Sequence, residues 1–526
     1  MINTFFLPAL LAQNWDVFVV PIPWAPPDTS DSVGNLLDIL PHLADMLSYF
    51  SKLHSQYGDL VTFTLPGFGR TIIIDRPEWL EHVRKNDMVV YGKGERTLVM
   101  FTAFLGGWSP FGAEGMRWKT SRKVIKPIFA SAQFDATLRA MNEILMPARE
   151  LLSNAAKQDV VIDFNEFFGR LLVMIFYKMA LSSDIALLTP DPSCLSEPHM
   201  LLADASTQNS ISSGRIFNPW WQFTEQLNGV GETFAAARGR ADKLVDDIIA
   251  SRRKMSREAA AAYDDFLSTL LQGTDEVDPV LFRDCIITLL FASKDTTQNA
   301  LSWSLHELSR HPDWVDAMRN EALSRDTQER AIPYDNLANY PIHMAVLYET
   351  LRLWPGVPKN SRVALQDDVL PGIPELGYGP IKVDKGDNVA WSDFEMMKNE
   401  AVWGPDAKEF NPARHLDADG QFVKPSQPKF HAFGAGPRAC PGSQSATYQF
   451  VAIWASILPF FDIKPVEMKD RYWSDGLTIS MRDPLLVRLK VDWSTYRLQY
   501  SRADEETNGT SLYSGVGAGL SYAVYS

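Results

Sequence analysis

The sequence predicts a mainly α-helical protein with a minor β region, folded as a single large domain. Residues 134–181, 229–272 and 279–310 follow a helical period over most of their length, whereas residues 356–400 carry short strand-like runs between turns. No long Ser/Gly linker divides the 526-residue chain. A chain of this length could hold two or three average domains, so the missing linker favours one unusually large domain.

Composition and charge narrow the class of protein. Hydrophobic residues make up 46% and charged residues 22% of the chain, which is typical of a globular protein. The net charge of −14 disfavours nucleic acid as a partner, because an acidic protein repels phosphate backbones. Only Cys194, Cys285 and Cys440 occur, which excludes a disulfide framework and a four-cysteine zinc site. One cysteine is therefore available for a chemical task in a reducing compartment.

Residues 1–44 are predicted to form an N-terminal arm and linker outside the main domain. Residues 1–27 hold a single charge, Asp16, and polar residues and Pro21 interrupt their apolar run. A membrane-spanning helix needs about 20 apolar residues, and the basic start of a secretory signal is missing. Three interpretations stay open: an arm that dips into a membrane surface, an apolar arm packed on the body, and a misassigned start. We carry the membrane-associated arm forward as the prediction.

Two shorter segments have patterns of their own. Residues 59–75 alternate around a Pro-Gly-Phe-Gly turn and carry β-branched residues, which predicts a hairpin. Residues 182–215 are rich in Ser, Pro and Asp, which predicts a long irregular connection.

The C-terminal part is predicted to contain a helix, a hairpin and a loose tail. The pattern predicts a helix over residues 443–460 and a hairpin over residues 475–493 that turns at Arg482–Pro484. Residues 497–526 are rich in Gly, Ser and Tyr, which predicts a loose tail. The main domain is therefore expected over residues 45–496.

The clearest helix of the sequence carries a polar block in its middle. Asp278 can cap this helix and Pro279 fits its first position, while His311 and Pro312 close it. The run CIITLLFA is apolar on all sides and predicts burial, yet SKDTTQN follows it directly. Burying such residues is costly unless they have partners or a purpose. The block therefore indicates either a kink with satisfied hydroxyls or a functional site.

A glycine-rich loop surrounds the third cysteine. Residues 430–444 read FHAFGAGPRACPGSQ, and the small residues and prolines beside Cys440 allow backbone N–H groups to approach its sulfur. Such donors stabilise a thiolate, and Arg438 adds a nearby cation. Phe433 can cover one face of the site. A cysteine without a second one nearby suits a single axial thiolate on haem iron.

This loop resembles the haem-binding signature of the cytochrome P450 monooxygenases. The match is carried by six residues: Phe433, Gly434, Gly436, Arg438, Cys440 and Gly442. The resemblance extends over about residues 45–495 and implies the cytochrome P450 fold, a bound haem b and Cys440 as the ligand of its iron. It also implies that Phe433 and Arg438 help to bind the haem.

Two further motifs of the family occur in the expected order. Glu349 and Arg352 in YETLR resemble its ExxR pair, which joins a later arginine to lock the fold around the haem. Arg414 in FNPARH supplies that arginine. Ala413 stands where the family often has Glu, and His415 stands where an aromatic residue is usual.

Three other residues resemble the haem-propionate contacts of the family. Trp118 and Arg122 match its WxxxR motif, and Arg362 occupies the place of a further propionate-binding arginine. Propionates need fixed cations, and the forked guanidinium group suits a carboxylate.

The polar block of the long helix resembles the oxygen-activation motif of the family. Ala292, Asp295 and Thr296 match this motif, while Ser293 replaces its usual glycine. The resemblance implies that Asp295 and Thr296 are catalytic and relay protons to bound dioxygen. General acid assistance of this kind is typically worth about 10²–10⁴ in rate.

Local patterns within residues 93–129, 362–371 and 402–414 resemble fungal and plant fatty-acid and alkane ω-hydroxylases. The resemblance implies that one oxygen atom of O2 enters a C–H bond of a fatty acid or alkyl chain. There are three alternatives, of which the first two are a hydroxylase of a terpenoid or polyketide secondary metabolite and a haem isomerase or dehydratase that needs no reductase. A haem sensor or carrier without turnover is a third, in which a buried proton relay would have no use.

The resemblance also implies partners and a location. Electrons would come from NADPH through a separate NADPH–cytochrome P450 reductase, and the protein would sit on the endoplasmic reticulum membrane with its catalytic domain facing the cytosol. A basic cluster fits the docking of an acidic electron donor or a solvated helix face, and it comprises Arg117, Lys119, Arg122, Lys123 and Lys126.

Overall fold

The computed structural model describes residues 20–21, 35–42, 45–65, 69–218, 220–256, 259, 263–272, 278–325 and 331–492. Helices account for most of this part of the chain. In chain order they are α1 Leu36–Ile39, α2 Met46–Tyr57, α3 Pro77–Lys85, α4 Glu95–Leu105, α5 Gly115–Ile125, α6 Ser131–Lys157, α7 Phe164–Leu181, α8 Met200–Phe217, α9 Trp221–Asn228, α10 Val230–Arg253, α11 Phe266–Gln272, α12 Pro279–Leu308, α13 Pro312–Leu323, α14 Pro341–Leu353, α15 Asp393–Met396, α16 Glu400–Trp403 and α17 Ser443–Ile457.

The strands of the described residues are short. They are β1 Val20–Pro21, β2 Leu60–Leu65, β3 Gly69–Ile74, β4 Tyr91–Gly92, β5 Ile162–Asp163, β6 Lys359–Ala364, β7 Asp368–Leu370, β8 Ile381–Val383, β9 Asn388–Ser392, β10 Phe461–Pro465, β11 Trp473–Asp475, β12 Ile479–Met481 and β13 Leu486–Val491. The largest sheet has the order β1-β2-β3-β9-β6-β4, and only its β3–β9 pair is parallel. A smaller sheet has the order β10-β13-β5, and two further pairs are β7–β8 and β11–β12.

Helix α12 begins where its capping residues predict. The Asp278 carboxylate accepts a hydrogen bond from the Val280 N–H at 2.9 Å, and Pro279 occupies the first turn, where a missing N–H costs nothing. The helix ends at Leu308, shortly before Pro312 opens α13. The prediction of one long helix is confirmed, and the polar block does not interrupt it.

Helix α12 crosses the middle of the main hydrophobic core and packs against α7, α14 and α17. Trp303 on α12 is fully buried and stacks on Trp354, with 3.7 Å between ring centroids and 4° between planes. Its indole N–H donates to the Ile479 carbonyl at 2.7 Å, which ties the helix to β12. These contacts fix the position of the polar block relative to the elements around it.

Several predicted elements are confirmed. Strands β2 and β3, within residues 59–75, pair in antiparallel fashion, and residues 356–400 contain the short strands β6 to β9. The predicted helical stretch 134–181 consists of α6 and α7 with β5 between them, and the stretch 229–272 contains α10 and α11. Helix α17 occupies most of the predicted segment 443–460. The mainly α-helical class with a minor β region is therefore confirmed.

The prediction that residues 182–215 are irregular is wrong for their second half. Helix α8 begins at Met200, where the His199 side chain accepts a hydrogen bond from the Leu201 N–H at 3.3 Å. Its polar residues, including Asn209 and Ser212, are buried against neighbouring elements. Composition misled the prediction because tertiary contacts override the weak helix propensity of Ser and Asn.

The predicted hairpin over residues 475–493 is also wrong in its pairing. Strand β12 pairs with β11, which precedes it, and β13 lies between β10 and β5. Leu486 and Val487 pair with Asp163 and Ile162 of β5, which are distant in the chain. An alternating sequence pattern shows that a segment is a strand but not which strand it pairs with, because any neighbouring strand can satisfy its backbone N–H and C=O groups.

The terminal predictions fall almost entirely outside the described residues. Of the predicted arm 1–44, only residues 20–21 and 35–42 are described, and the predicted tail 497–526 is not described at all. None of the helices in the described ranges is both long enough and apolar enough to cross a bilayer.

Candidate active site

Cys440 lies in a tight loop directly before α17. Gly434 and Gly436 in this loop have φ angles of 64° and 67°, in the left-handed region that side chains disfavour. The Cys440 N–H donates to the Phe433 carbonyl at 2.8 Å, which closes the loop. Gly434 and Gly436 of the signature are therefore required by the backbone conformation that presents the sulfur.

The surroundings of the Cys440 sulfur contain groups that stabilise a negative charge. Although Cys440 as a whole residue is exposed, desolvation of the sulfur by the surrounding loop raises the pKa of the thiol, and the Gly442 N–H and the Arg122 charge offset part of this rise. The sulfur also lies at the N-terminal end of α17, where the helix dipole presents a partial positive charge. These groups favour the thiolate form that a metal ion would bind.

Helix α5 brings the predicted propionate ligands against this loop. The Arg122 guanidinium donates through Nη2 to the Ala439 carbonyl at 3.2 Å. The guanidinium carbons of Arg122 and Arg438 lie 5.7 and 5.4 Å from the centre of the Trp118 ring. The Trp118 ring therefore makes cation–π contacts with both Arg122 and Arg438, which keeps two positive charges near the cysteine loop.

Arg362 joins the same cluster through a residue that the sequence analysis missed. The Asp87 carboxylate accepts from Arg438 Nε at 3.2 Å and from Arg362 Nε at 3.0 Å. Glu114 accepts from Arg438 Nη2 at 3.0 Å. No sequence motif pointed to either carboxylate, because both reach the arginines only through the fold.

The residues of this cluster fit a bound haem. Arg438 Nη1 is buried and makes no hydrogen bond within the described part of the chain, although a charged nitrogen in such a position needs an acceptor. A haem propionate would supply that acceptor. Cys440 would provide a thiolate ligand, Arg122, Arg362 and Arg438 would hold the propionates, and the half-buried Phe433 flanks the loop.

The predicted charge network around α14 is assembled and has one additional member. Glu349 is fully buried, and its oxygens accept from Arg352 Nε and Nη2 at 2.8 Å each and from Arg414 Nε at 3.3 Å. His415 Nε2 lies 3.1 Å from Glu349 Oε2. His415 departs from the aromatic residue of the family, and its ring makes a fourth contact with the network.

The pKa of Glu349 reflects these partners. Burial alone would raise it, but the hydrogen bonds and charges of Arg352 and His415 outweigh burial and lower the pKa below its usual 4.5. The carboxylate is therefore ionised at neutral pH. Arg352 is also fully buried, and it donates to the carbonyls of Met397 and Glu409 at 2.9 Å each and to that of Ala407.

Thr296 faces the segment that follows α14. Its hydroxyl donates to the Ala292 carbonyl at 2.8 Å, and a Cβ placed on Gly356 would come within 3.2 Å of Thr296 Cβ. The Ser293 hydroxyl donates to the Leu290 carbonyl at 3.2 Å, so both hydroxyls bond to the backbone of α12. Each oxygen keeps lone pairs with which it can accept a further hydrogen bond.

Asp295 points in a different direction and has partners that the sequence did not predict. Its Oδ1 lies 2.6 Å from Lys294 Nζ, and its Oδ2 accepts from Asn209 Nδ2 at 3.3 Å. The same Asn209 group donates to the Thr478 hydroxyl at 2.8 Å. Lys294 and Asp295 are both more than nine-tenths buried, so each is the other's principal counter-charge. The Asp295 carboxylate is thus held by Asn209 of α8, and Asn209 is in turn held by the loop before β12.

An apolar cavity of about 60 Å³ lies along the turns of α12 that precede Thr296. Phe104 and Phe291 meet edge to face in its wall, with 4.6 Å between ring centroids. Three of its lining residues are polar, namely Asp204, Gln208 and Lys294, and the other ten are apolar. Phe104 lies within residues 93–129, whose pattern resembles fatty-acid and alkane ω-hydroxylases.

The fold and the site together define a haem-thiolate oxidoreductase, and comparison with known proteins identifies the family. The family model described as Cytochrome P450 matches residues 25–490. The chain is 33% identical over 485 residues to "Cytochrome P450 monooxygenase cyp1" of Mycosarcoma maydis, covering 87% of this chain and 73% of that relative. This protein belongs to the cytochrome P450 family and is a monooxygenase of the oxidoreductase class.

Two further relatives have similar identity and coverage. The chain is 28% identical over 466 residues to "Cytochrome P450 94A2" of Vicia sativa, covering 84% of this chain and 88% of the relative. It is 30% identical over 416 residues to "Cytochrome P450 monooxygenase pvhE" of Talaromyces variabilis, covering 75% and 74%. Relatives therefore occur in both fungi and plants.

The site assigns distinct tasks to its residues. When bound, haem supplies the activation of dioxygen that characterises the family. The Cys440 thiolate and the cluster of Arg122, Arg362 and Arg438 would hold and orient it. Thr296 places its hydroxyl on the face of α12 towards Gly356, and the Asp295 carboxylate, one residue away, bonds to Lys294 and Asn209.

Proposed function

We propose that this monooxygenase hydroxylates a long alkyl chain, with a fatty acid or an alkane as substrate. The observation that carries the proposal is the apolar cavity beside α12, in which ten of thirteen lining residues are apolar and whose volume of about 60 Å³ would take the end of such a chain. A hydrocarbon chain gains about 0.8 kcal/mol for each methylene that it buries in such a site. The likeness of residues 93–129 to fatty-acid and alkane ω-hydroxylases supports the same substrate class.

A spectral titration of the holoenzyme across chain lengths tests this substrate class. We expect the dissociation constant for fatty acids and alkanes to fall with each added methylene until the cavity is filled. Leu290→Ser on the cavity wall should flatten this dependence, whereas Val280→Ser, at an exposed position of the same helix, should not. Tighter binding of terpenoids or polyketides, with no dependence on chain length, would support the alternative hydroxylase.

Electron supply separates this proposal from a reductase-independent isomerase or dehydratase. The buried Asp295 and the adjacent Thr296 favour a monooxygenase, because only activation of dioxygen needs protons delivered at this point. Product formation should therefore require NADPH and NADPH–cytochrome P450 reductase. Turnover of a hydroperoxide without either would identify the isomerase or dehydratase instead.

The exposed basic face of α5 supports docking of an acidic reductase. Arg117, Lys119, Lys123 and Lys126 are exposed, whereas Arg122 turns towards the cysteine loop. Electrostatic steering by such a patch weakens as salt concentration rises. Reversing Lys119 and Lys123 to Glu should slow electron transfer from the reductase and leave substrate binding unchanged.

We propose that the protein lies on the endoplasmic reticulum membrane with its catalytic domain in the cytosol. The support is an apolar face at α9, where Trp220, Phe223 and Leu227 are 60%, 64% and 72% exposed. Residues with this spacing share one side of a helix and can enter the interfacial layer of a bilayer.

Fractionation tests the membrane proposal. Deleting residues 1–27 should move the protein towards the soluble fraction, and replacing the three α9 residues with Ser should move it further. Met146→Ser is the matched control, since Met146 is 62% exposed on α6. An unchanged distribution of both the deletion variant and the α9 variant would contradict the proposal.

A further inference from the structure

The turn between α3 and β4 places one carboxylate between two arginines of the haem site. Asp87 is 6% exposed, and each of its oxygens accepts one hydrogen bond, from Arg438 Nε at 3.2 Å and from Arg362 Nε at 3.0 Å. Arg362 lies on β6 and Arg438 in the cysteine loop. Asp87 is therefore the point at which these two separate parts of the chain meet.

Each guanidinium group has some N–H groups that are hydrogen-bonded and others that have no partner within the described ranges. Arg438 also donates through Nη2 to Glu114, while its buried Nη1 makes no hydrogen bond within the described ranges. Arg362 donates through Nη1 to the Ser361 carbonyl at 2.8 Å. Because a guanidinium group is planar, fixing its Nε edge determines where its remaining N–H groups point.

The backbone at this turn is held in an unusual conformation. Met88, directly after Asp87, has a φ of 74°, a left-handed value that is uncommon for a residue with a side chain. The Met88 N–H donates to the Tyr91 carbonyl at 2.7 Å, which closes the turn. Strain of this kind persists where the surrounding structure requires one position of a neighbouring residue.

We infer that Asp87 is a positioning residue for the haem propionates, because it fixes Arg362 and Arg438 with their free N–H edges towards the cofactor. Without this carboxylate the two guanidinium groups would repel each other, and Arg438 would lose one of its two counter-charges. The inference rests on the arginine geometry and does not depend on the proposed substrate. Asp87 acts through the arginines and is not itself assigned a contact with the haem.

The rate of haem transfer from the purified holoenzyme to excess apomyoglobin tests this role. Asp87→Asn keeps the shape of the side chain and removes its charge. We expect it to accelerate haem loss by about 10–100-fold, the usual effect of losing a group that orients a ligand. The matched control is Asp368→Asn nearby, since Asp368 accepts from the Tyr91 hydroxyl at 2.7 Å and makes no contact with either arginine. Its transfer rate should equal that of the wild type.

Haem dimethyl ester separates positioning from a general structural role. Its esterified propionates carry no charge and cannot form ion pairs with arginines, so the difference in loss rate between Asp87→Asn and wild type should disappear with this porphyrin. A rate difference that persists with the ester, or no difference with natural haem, would overturn the inference. If Asp87→Asn is isolated without haem, uptake of the ester as in the wild type supports positioning, and failure to retain either porphyrin overturns it.

Discussion

Glu349→Gln removes one buried charge from the centre of the network around α14 while preserving the size of the side chain. Glu349 accepts five hydrogen bonds, from two atoms of Arg352, from Arg414, from His415 and from the Asn411 N–H. Its carboxylate is the only ion-pair partner of Arg352 among the described residues, and Arg352 is 0% exposed. The amide of Gln would also direct its own N–H groups at the donors of these partners.

The expected loss of folding stability arises because Arg352 would remain buried without a counter-charge. Removing one partner of a buried ion pair costs about 3–5 kcal/mol, out of a total stability of about 5–15 kcal/mol for a typical protein. Glu349→Gln should therefore lower the denaturant midpoint strongly and yield protein with little haem. Glu349→Ala should act in the same direction and yield poorly folded, haem-free protein.

Denaturant unfolding followed by circular dichroism, with haem content measured in parallel, provides the assay. Glu81→Gln is the control, because Glu81 pairs with Lys85 on the surface at 3.0 Å and such pairs contribute below about 1 kcal/mol. A Glu349→Gln protein that retains haem and unfolds within about 1 kcal/mol of the wild type would refute the reasoning, since the loss estimated for a buried pair is several times larger.

The same variant has a predictable pH dependence. Since the folded protein holds the pKa of Glu349 below its usual 4.5, the ionised carboxylate stabilises the fold above that pH. This contribution is lost as the pH falls from 4.5 towards the folded pKa, where both states become protonated. The stability difference between wild type and Glu349→Gln should therefore be full at pH 7 and shrink below about pH 4.5.

Four further predictions concern individual residues. Cys440→Ala should lose the reduced-CO absorption band typical of thiolate ligation, and its survival would contradict the assignment. Thr296→Ala should still bind haem and substrate while NADPH oxidation diverts to peroxide or water, and unchanged coupling would instead implicate Ser293. Lys294→Met should destabilise the fold by about 3–5 kcal/mol by leaving Asp295 without its counter-ion, with Lys294→Arg as the rescue, both measured by denaturant unfolding. His415→Phe, measured in the same way, should cost about 1–3 kcal/mol through the lost hydrogen bond to Glu349, and an unchanged midpoint would show that the contact is dispensable.

The sequence was sufficient for residues whose role depends on local spacing. The turn around Cys440 needs its glycines, Glu349 and Arg352 are one helical turn apart, and Asp278 with Pro279 marks the start of α12. In each case the chemistry and the partner lie within a few positions of each other. Local sequence pattern was therefore enough to predict the roles of these residues.

Contacts between distant elements could not be predicted in the same way. Asp87, Glu114 and Asn209 reach their partners only after the chain has folded, and nothing in their own sequence neighbourhood distinguishes them from solvated polar residues. For the same reason the partners of β13 were misidentified. The polar composition of α8 predicted a loop because the elements that bury Asn209 lie elsewhere in the chain.

Asp295 and Thr296 are neighbours in sequence, but the helical turn separates their surroundings. Successive residues of an α-helix differ by about 100° in direction, so Thr296 faces Gly356 while Asp295 bonds to α8. Helix α8 carries Asn209, which holds Asp295, directly after Gln208, which lines the apolar cavity. A shift of α8 that widened the cavity would also change the hydrogen bond to Asp295. Substitutions at Gln208 should therefore alter the coupling of NADPH oxidation to product as well as substrate affinity, whereas a substitution confined to the cavity wall at Val173 should alter affinity alone.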